Sequence, residues 1–127
     1  DVVVFIQPTS PFLSCKYIDN GIDMIGSKES VFSAYREHWI PRWTEDIRPD
    51  QWDITNRPMR QDVDHKYVEN GAFYITTNHL LSRNRLRYSG VIGVVEMPFY
   101  DSIQIDTYND LFMAESLMKI RNIQVGN

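Results

Sequence analysis

At 127 residues the chain is one domain's worth, able to bury about two thirds of the surface its unfolded form exposes. Its 13 basic and 17 acidic residues leave a net charge of −4, which argues against a nucleic-acid backbone as partner but leaves room for one small anion met by local arginines. The lone Cys15 excludes an internal disulfide, and His38, His65 and His79 are too far apart for zinc spacing. No apolar run approaches the roughly 20 residues of a membrane helix and nothing at Asp1 reads as a signal peptide, so the expected location is cytoplasmic.

The run Val2-Val3-Val4-Phe5-Ile6 is apolar and rich in β-branched residues, the pattern of a strand covered on both faces in a parallel sheet. Such a strand has neighbours on both edges. Only Asp1 precedes it, so the expectation is that an element pairing with it is missing from this chain. The run ends in Gln7-Pro8-Thr9-Ser10-Pro11, where two prolines stop the ladder and leave Gln7, Thr9 and Ser10 at the carboxyl end of the strand. In open α/β sheets ligands bind there; a rigid turn with a Ser/Thr cap accounts for the same residues.

A helix is expected over 14–25, with Ile18, Ile22 and Ile25 on its apolar face, Gly21 weakening it and Gly26 stopping it. Gly26-Ser27-Lys28 is a helix stop, because it follows a helix and lacks the other glycines of a phosphate loop. Residues 30–38 alternate like a strand, so the opening reads β-α-β with a right-handed connection. From 39 to 66 the chain is polar and broken by Pro41, Pro49 and Pro58, yet carries Trp39, Trp43 and Trp52. These aromatics need cover, either as a satellite cluster beneath a long loop or as an arm that packs on a second subunit.

Within that segment Arg57, Arg60 and Gln61 bring two planar donor forks and an amide, suited to a carboxylate or phosphate; a solvated charged face is the plainer account. Asn70-Gly71 reads as a tight turn just ahead of a strand over 72–76. A short helix over 78–81, a basic loop over 83–88 and an apolar strand over 91–95 follow. Residues 103–106 alternate like a short strand, and Thr107 to Asp110 has capping-box spacing for a final helix whose buried face is Leu111, Ala114, Leu117 and Met118. Glu115 and Lys119 can pair at i+4, and Lys119 and Arg121 suit the negative end of the dipole. Asp106 is expected to project into the same crevice as Gln7, as a magnesium ligand beside phosphate or as part of the capping network.

Together QPTSP at 7–11, SVFSA at 30–34, RPMRQD at 57–62, YVENGAFYI at 67–75 and SIQIDTYNDL at 102–111 resemble, in order and over essentially the whole chain, the cytidylyltransferases that activate nine-carbon keto acids, closest to the N-acylneuraminate cytidylyltransferases, also called CMP-sialic acid synthetases. The resemblance implies an α/β fold, a Rossmann-like nucleotidyltransferase three-layer sandwich with a protruding dimerisation arm at about 39–66. It implies a homodimer that joins CTP and a sialic-type acid into a CMP-sugar and pyrophosphate with magnesium (Mg2+). Carried over by position, Gln7 hydrogen-bonds the sugar acid, Arg57, Arg60 and Gln61 serve anion binding and catalysis near the subunit boundary, and Tyr67, Asn70 and Phe73 shape the sugar pocket. Thr9 and Ser10 join the substrate-binding set, and Asp106 is the catalytic metal position.

Two departures stand out. Gln104 replaces one acid of the family's D-I-D arrangement, and a neutral amide is the weaker magnesium ligand. The family's amino-terminal glycine-rich loop, which cradles the CTP phosphates, is expected upstream of Asp1, so residues 1–127 read as the carboxyl-terminal portion of the domain. Alternatives are a non-catalytic module that binds an acidic sugar, a dimerisation piece, and an activator of a related keto acid such as legionaminate.

Overall fold

The computed structural model describes residues 1–125. Six strands and three α-helices follow one another as β1 (Val2–Ile6), α1 (Cys15–Met24), β2 (Ser30–Glu37), β3 (Arg42–Trp43), β4 (Pro49–Asp50), β5 (Lys66–Thr77), α2 (Asn78–Asn84), β6 (Ile92–Glu96) and α3 (Tyr108–Val125). Four strands form one mixed sheet in the order β1-β5-β2-β6, and β3 with β4 makes a separate two-stranded ladder. The fold is mixed α/β.

The parallel opening expected from the apolar runs is interrupted. β1 and β2 both run antiparallel to β5, which lies between them, while β2 and β6 pair in parallel. β1 therefore has β5 on one side, and its other edge is unpaired among the described residues. Val2, Phe5 and Ile6 are 44–51% exposed, so the strand is not covered on both faces as its composition suggested.

Alternation along the strands separates two faces. Val31, Phe73, Ile75, Val95 and Met97 form the buried core with Tyr17 of α1, and Val4, Ile18 and Met24 pack at its margin. α1 turns Tyr17 and Gly21 inward, whereas Ile22 is 41% exposed, so the buried face lies one residue away from the expected isoleucine stripe. Gly21 is the reason. A Cβ there would meet Ile75 Cδ1 at 2.6 Å and Phe73 Cε2 at 3.2 Å, so the missing side chain lets the helix approach the sheet closely. On the opposite face Phe5, Phe32, Tyr74 and Tyr88 stack edge to tilted edge, and Arg87 lies over the rings of Phe5 and Tyr74.

Asn70-Gly71 does not form a turn ahead of a strand. β5 runs through it for 12 residues, and residues 70–73 stand opposite Ser33 alone, a bulge in the β2/β5 ladder. Gly71, at φ 67°, takes the left-handed conformation that the bulge requires. Residues 103–106, expected as a strand, belong to none; their tie to the sheet side is the bond from Ile105 N to Thr9 O, 2.9 Å. The capping box at α3 forms as read. Asp110 Oδ2 accepts from Thr107 N at 2.8 Å and Asp110 N donates to Thr107 Oγ1 at 3.2 Å. On α3 Ala114 is buried, while Leu111 and Met118 are 38% and 41% exposed and line an apolar groove with Pro11 and Phe12. No helix among the described residues is long and apolar enough to cross a membrane.

Candidate active-site rim and the 38–65 excursion

β1 delivers its carboxyl end to a rim. Gln7 N donates to Ala72 O at 3.0 Å, which seats the QPTSP loop beside the β5 bulge. Thr9 O takes Ile105 N, and the Gln104 amide lies where a Cβ of Gly71 would be, 2.6 Å from Gln104 Nε2. Gln7, Thr9, Gly71, Gln104 and Asp106 are therefore carried on neighbouring backbone. Ser10 Oγ, at the same loop, is buried without a hydrogen-bond partner among the described residues. Proline restricts this loop at both ends, and a loop so fixed places polar groups where a ligand can meet them.

Asp106 is exposed and lines a hollow of about 230 Å³ with Ile105, Thr107, Tyr108 and Leu111. Its neighbour Asp110 is committed elsewhere. The hydroxyl of Thr107 and the backbone N–H groups of Asp106 and Thr107 all donate to Asp110, and these bonds, the hydroxyl's first, hold its carboxyl below the usual range. Asp106 is thus the carboxylate at this rim that capping leaves available. No group of three or more His, Cys, Asp or Glu side chains poised for a metal occurs among the described residues. A cation here would take one carboxylate and complete its shell with substrate phosphates and water, a mode that suits magnesium.

The arginines expected to share this guest are elsewhere. Arg57 and Arg60 line a hollow of about 390 Å³ with Trp39, Pro41, Pro58 and Met59, in the excursion that leaves the sheet between β2 and β5. That hollow shares no lining residue with the one at Asp106, and Gln7 lines neither, so no single hollow holds Arg60, Gln7 and Asp106 together as expected. Neither guanidinium is within 4.0 Å of a carboxylate among the described residues, which leaves both donor forks available. Gln61 Nε2 lies 3.8 Å from Met59 Sδ. The excursion has its own apolar centre. Trp52 meets Trp39 and Trp43 edge to face, its indole N–H donates to Arg42 O at 2.8 Å, and Arg42 binds Glu37 at 2.9 Å.

The three candidate residues of the YVENGAFYI block at 67–75 separate by depth. Tyr67 is 46% exposed; its hydroxyl lies 3.1 Å from both Arg36 Nη2 and Glu96 Oε2, with the Arg36 guanidinium over its ring. That bond and the Glu96 carboxylate hold the Arg36 guanidinium above its usual range. Asn70 is 4% exposed and Phe73 fully buried, so neither presents a side chain to a surface pocket as expected. The Asn70 amide is taken up by Ser33, Ala72 and Ser102 inside the protein. Sequence reading gave no role to Arg36, Glu96, Ser33 or Ser102: the first two lie outside the quoted blocks, Ser33 and Ser102 lie inside SVFSA and SIQIDTYNDL, and the partners of all four are distant in sequence.

No protein-family model matches the chain. Over 91% of its length it is 36% identical to an N-acylneuraminate cytidylyltransferase of Oncorhynchus mykiss, and it spans 28% of that protein. It is 33% identical to N-acylneuraminate cytidylyltransferase A of Danio rerio and 35% identical to form B, spanning 28% and 29% of their lengths. Among solved structures it resembles the 4-diphosphocytidyl-2C-methyl-D-erythritol synthase of Anaerococcus prevotii, with TM-score 0.63 at 14% identity, over 94% of this chain and 59% of that one. The structural likeness speaks for the fold, and the sequence likeness for descent: the chain is homologous to part of the N-acylneuraminate cytidylyltransferases and has a nucleotidyltransferase-like mixed α/β fold.

Proposed function

We propose that this chain carries the acceptor-binding part of a cytidylyltransferase that joins CTP to a sialic-type nine-carbon keto acid, giving the CMP-sugar and pyrophosphate. The observation that carries the reading is the bond from Ile105 N to Thr9 O, which ties the Gln7 loop to the Asp106 segment at the end of β1 in a chain homologous to such enzymes. The anomeric hydroxyl passes its proton to a base as its oxygen attacks the α-phosphorus of CTP, the bond from that phosphorus to the bridging oxygen breaks, and pyrophosphate leaves with the electron pair. Positioning and charge neutralisation supply most of the rate in such a transfer.

In this reading Gln7 orients the acceptor, with the Thr9 and Ser10 hydroxyls beside it. Asp106 would hold magnesium, whose contribution when bound is to neutralise phosphate charge. Arg57, Arg60 and Gln61 supply cationic and amide donors from the 38–65 excursion. Their separation from Asp106 within one chain is accounted for by a homodimer in which each excursion serves the partner's rim. The accessible surface is consistent with further cover: 9261 Å² is exposed, against the roughly 7,000 Å² of a compact monomer of this mass.

Calorimetry with N-acetylneuraminate and then with CTP on this chain tests the reading. Binding of the sugar acid without CTP supports an acceptor half-site, and binding of neither removes the reading. Turnover of CTP would show that this chain holds the nucleotide site as well.

A further inference from the structure

The β5 bulge, β2 and the turn after β6 meet in one buried polar knot. Asn70 Oδ1 accepts from Ser33 Oγ at 2.6 Å and from Ala72 N at 3.1 Å, which holds the bulge closed. Phe73 N completes that side by donating to Ser33 Oγ at 3.0 Å. The other half of the same amide points away from the bulge. Asn70 Nδ2 donates to Ser102 Oγ at 2.9 Å beside Met97 Sδ, and Ser102 Oγ donates onward to Pro98 O at 2.9 Å. The donor from Ala72 fixes which end of the amide is oxygen.

Asn70, Ser33 and Ser102 are 4%, 1% and 8% exposed, so each bond is made away from water, where an unmade partner is costly. Ser102 opens the segment that runs through Gln104 to Asp106. After Ser102, the backbone bond that ties this segment to the rim is Ile105 N to Thr9 O, with Gln104 resting on Gly71 of the bulge. The bulge and the Asp106 segment therefore meet at the Asn70 side-chain amide, through Ser102, and again where Gln104 rests on Gly71.

We propose that Asn70 is a positioning residue: its buried amide couples the β5 bulge to Ser102 and so sets where Gln104 and Asp106 stand relative to Gln7. The coupling is a property of the chain itself. Its consequence for acceptor binding rests on the function proposed above.

Because Asn70 variants risk unfolding the bulge, the test uses Ser102 and the backbone amide of Ile105, read by hydrogen exchange in NMR. Ser102→Ala removes the acceptor for Asn70 Nδ2, and Ile105 is expected to exchange about tenfold faster while amides of the β2/β6 ladder are unchanged. Ser102→Thr, which keeps the hydroxyl, is expected to restore protection. Unchanged exchange at Ile105, an equal acceleration at every amide, or no rescue by threonine would overturn the proposal. A wild-type chain that fails to bind N-acetylneuraminate removes the proposed function and leaves the exchange result to decide the coupling.

Discussion

Arg121 of α3 places Nη2 2.5 Å from Asp101 Oδ1, and the second carboxylate oxygen receives the hydroxyl of Tyr17 from α1. One carboxylate in the turn Phe99–Asp101 thereby links the first helix to the last. Arg121 also lies over the ring of Phe12, 4.4 Å from its centroid. Arg121→Met keeps an apolar stem over Phe12 and leaves Asp101 a single partner; with one third of the Arg121 side chain exposed, the expected loss is about 1–2 kcal/mol of unfolding free energy by urea titration. Unaltered stability would show that the ion pair contributes nothing net.

The same cluster sets a pH response. Burial pushes the Tyr17 hydroxyl up, with the hydrogen bond to Asp101 and the negative charge of Asp101 adding to it, to about 12. Between the ordinary tyrosine value near 10 and about 12 the folded state keeps a proton that the unfolded state has lost, so stability declines as pH rises through that window. Tyr74 shifts the same way through burial and its bond to Glu69. For Asp101 burial works upward, but the bonds from Tyr17 and Arg121 outweigh it and hold the carboxyl low. That contribution is present above about pH 4 and is lost on acidification through the folded value. Tyr17→Phe is expected to flatten the alkaline fall in melting temperature; an identical fall in the variant would locate it elsewhere.

Gly21→Ala sets helix propensity against packing. Alanine gains about 1 kcal/mol in a helix interior, but the added methyl would stand 2.6 Å from the fully buried Ile75, and overpacking costs about 1–3 kcal/mol. The expected net is destabilisation by about 1 kcal/mol, measured by chemical denaturation. A more stable variant would mean that α1 can lift from the sheet without loss.

Arg57 and Arg60 are exposed and free of carboxylate partners among the described residues, so their removal should leave the fold alone. Arg60→Ala is expected to change unfolding free energy by less than about 0.5 kcal/mol, while weakening any N-acetylneuraminate or CTP binding about tenfold or more. Calorimetry beside thermal melting separates the two effects. Loss of stability without loss of affinity would make these arginines structural.

Local signals carried far along this chain. Apolar runs marked β1 and β6, alternation marked β2, and Gly26 after the isoleucine stripe marked the end of α1. The spacing from Thr107 to Asp110 found the start of α3, since a capping bond reaches only three residues. The same locality limited the reading of Asn70-Gly71. A residue pair tolerant of positive φ serves a turn or a bulge equally well, and the partner strand decides between them. The excursion was legible as polar and aromatic, but which hollow its arginines line was not, because charge patterns carry no coordinates.

What the amino-acid order determined by itself were element types, caps and homology, since each depends on side chains a few positions apart or on blocks kept in order. Tertiary structure alone decided that β5 runs antiparallel between β1 and β2, that α1 buries Tyr17 and Gly21, and that Asn70 faces Ser33 and Ser102. An apolar run states that a strand will be buried but not against which neighbour or in which direction, and an amide states that it will hydrogen-bond but not to whom. Those choices belong to packing, where residues dozens of positions apart compete for the same space.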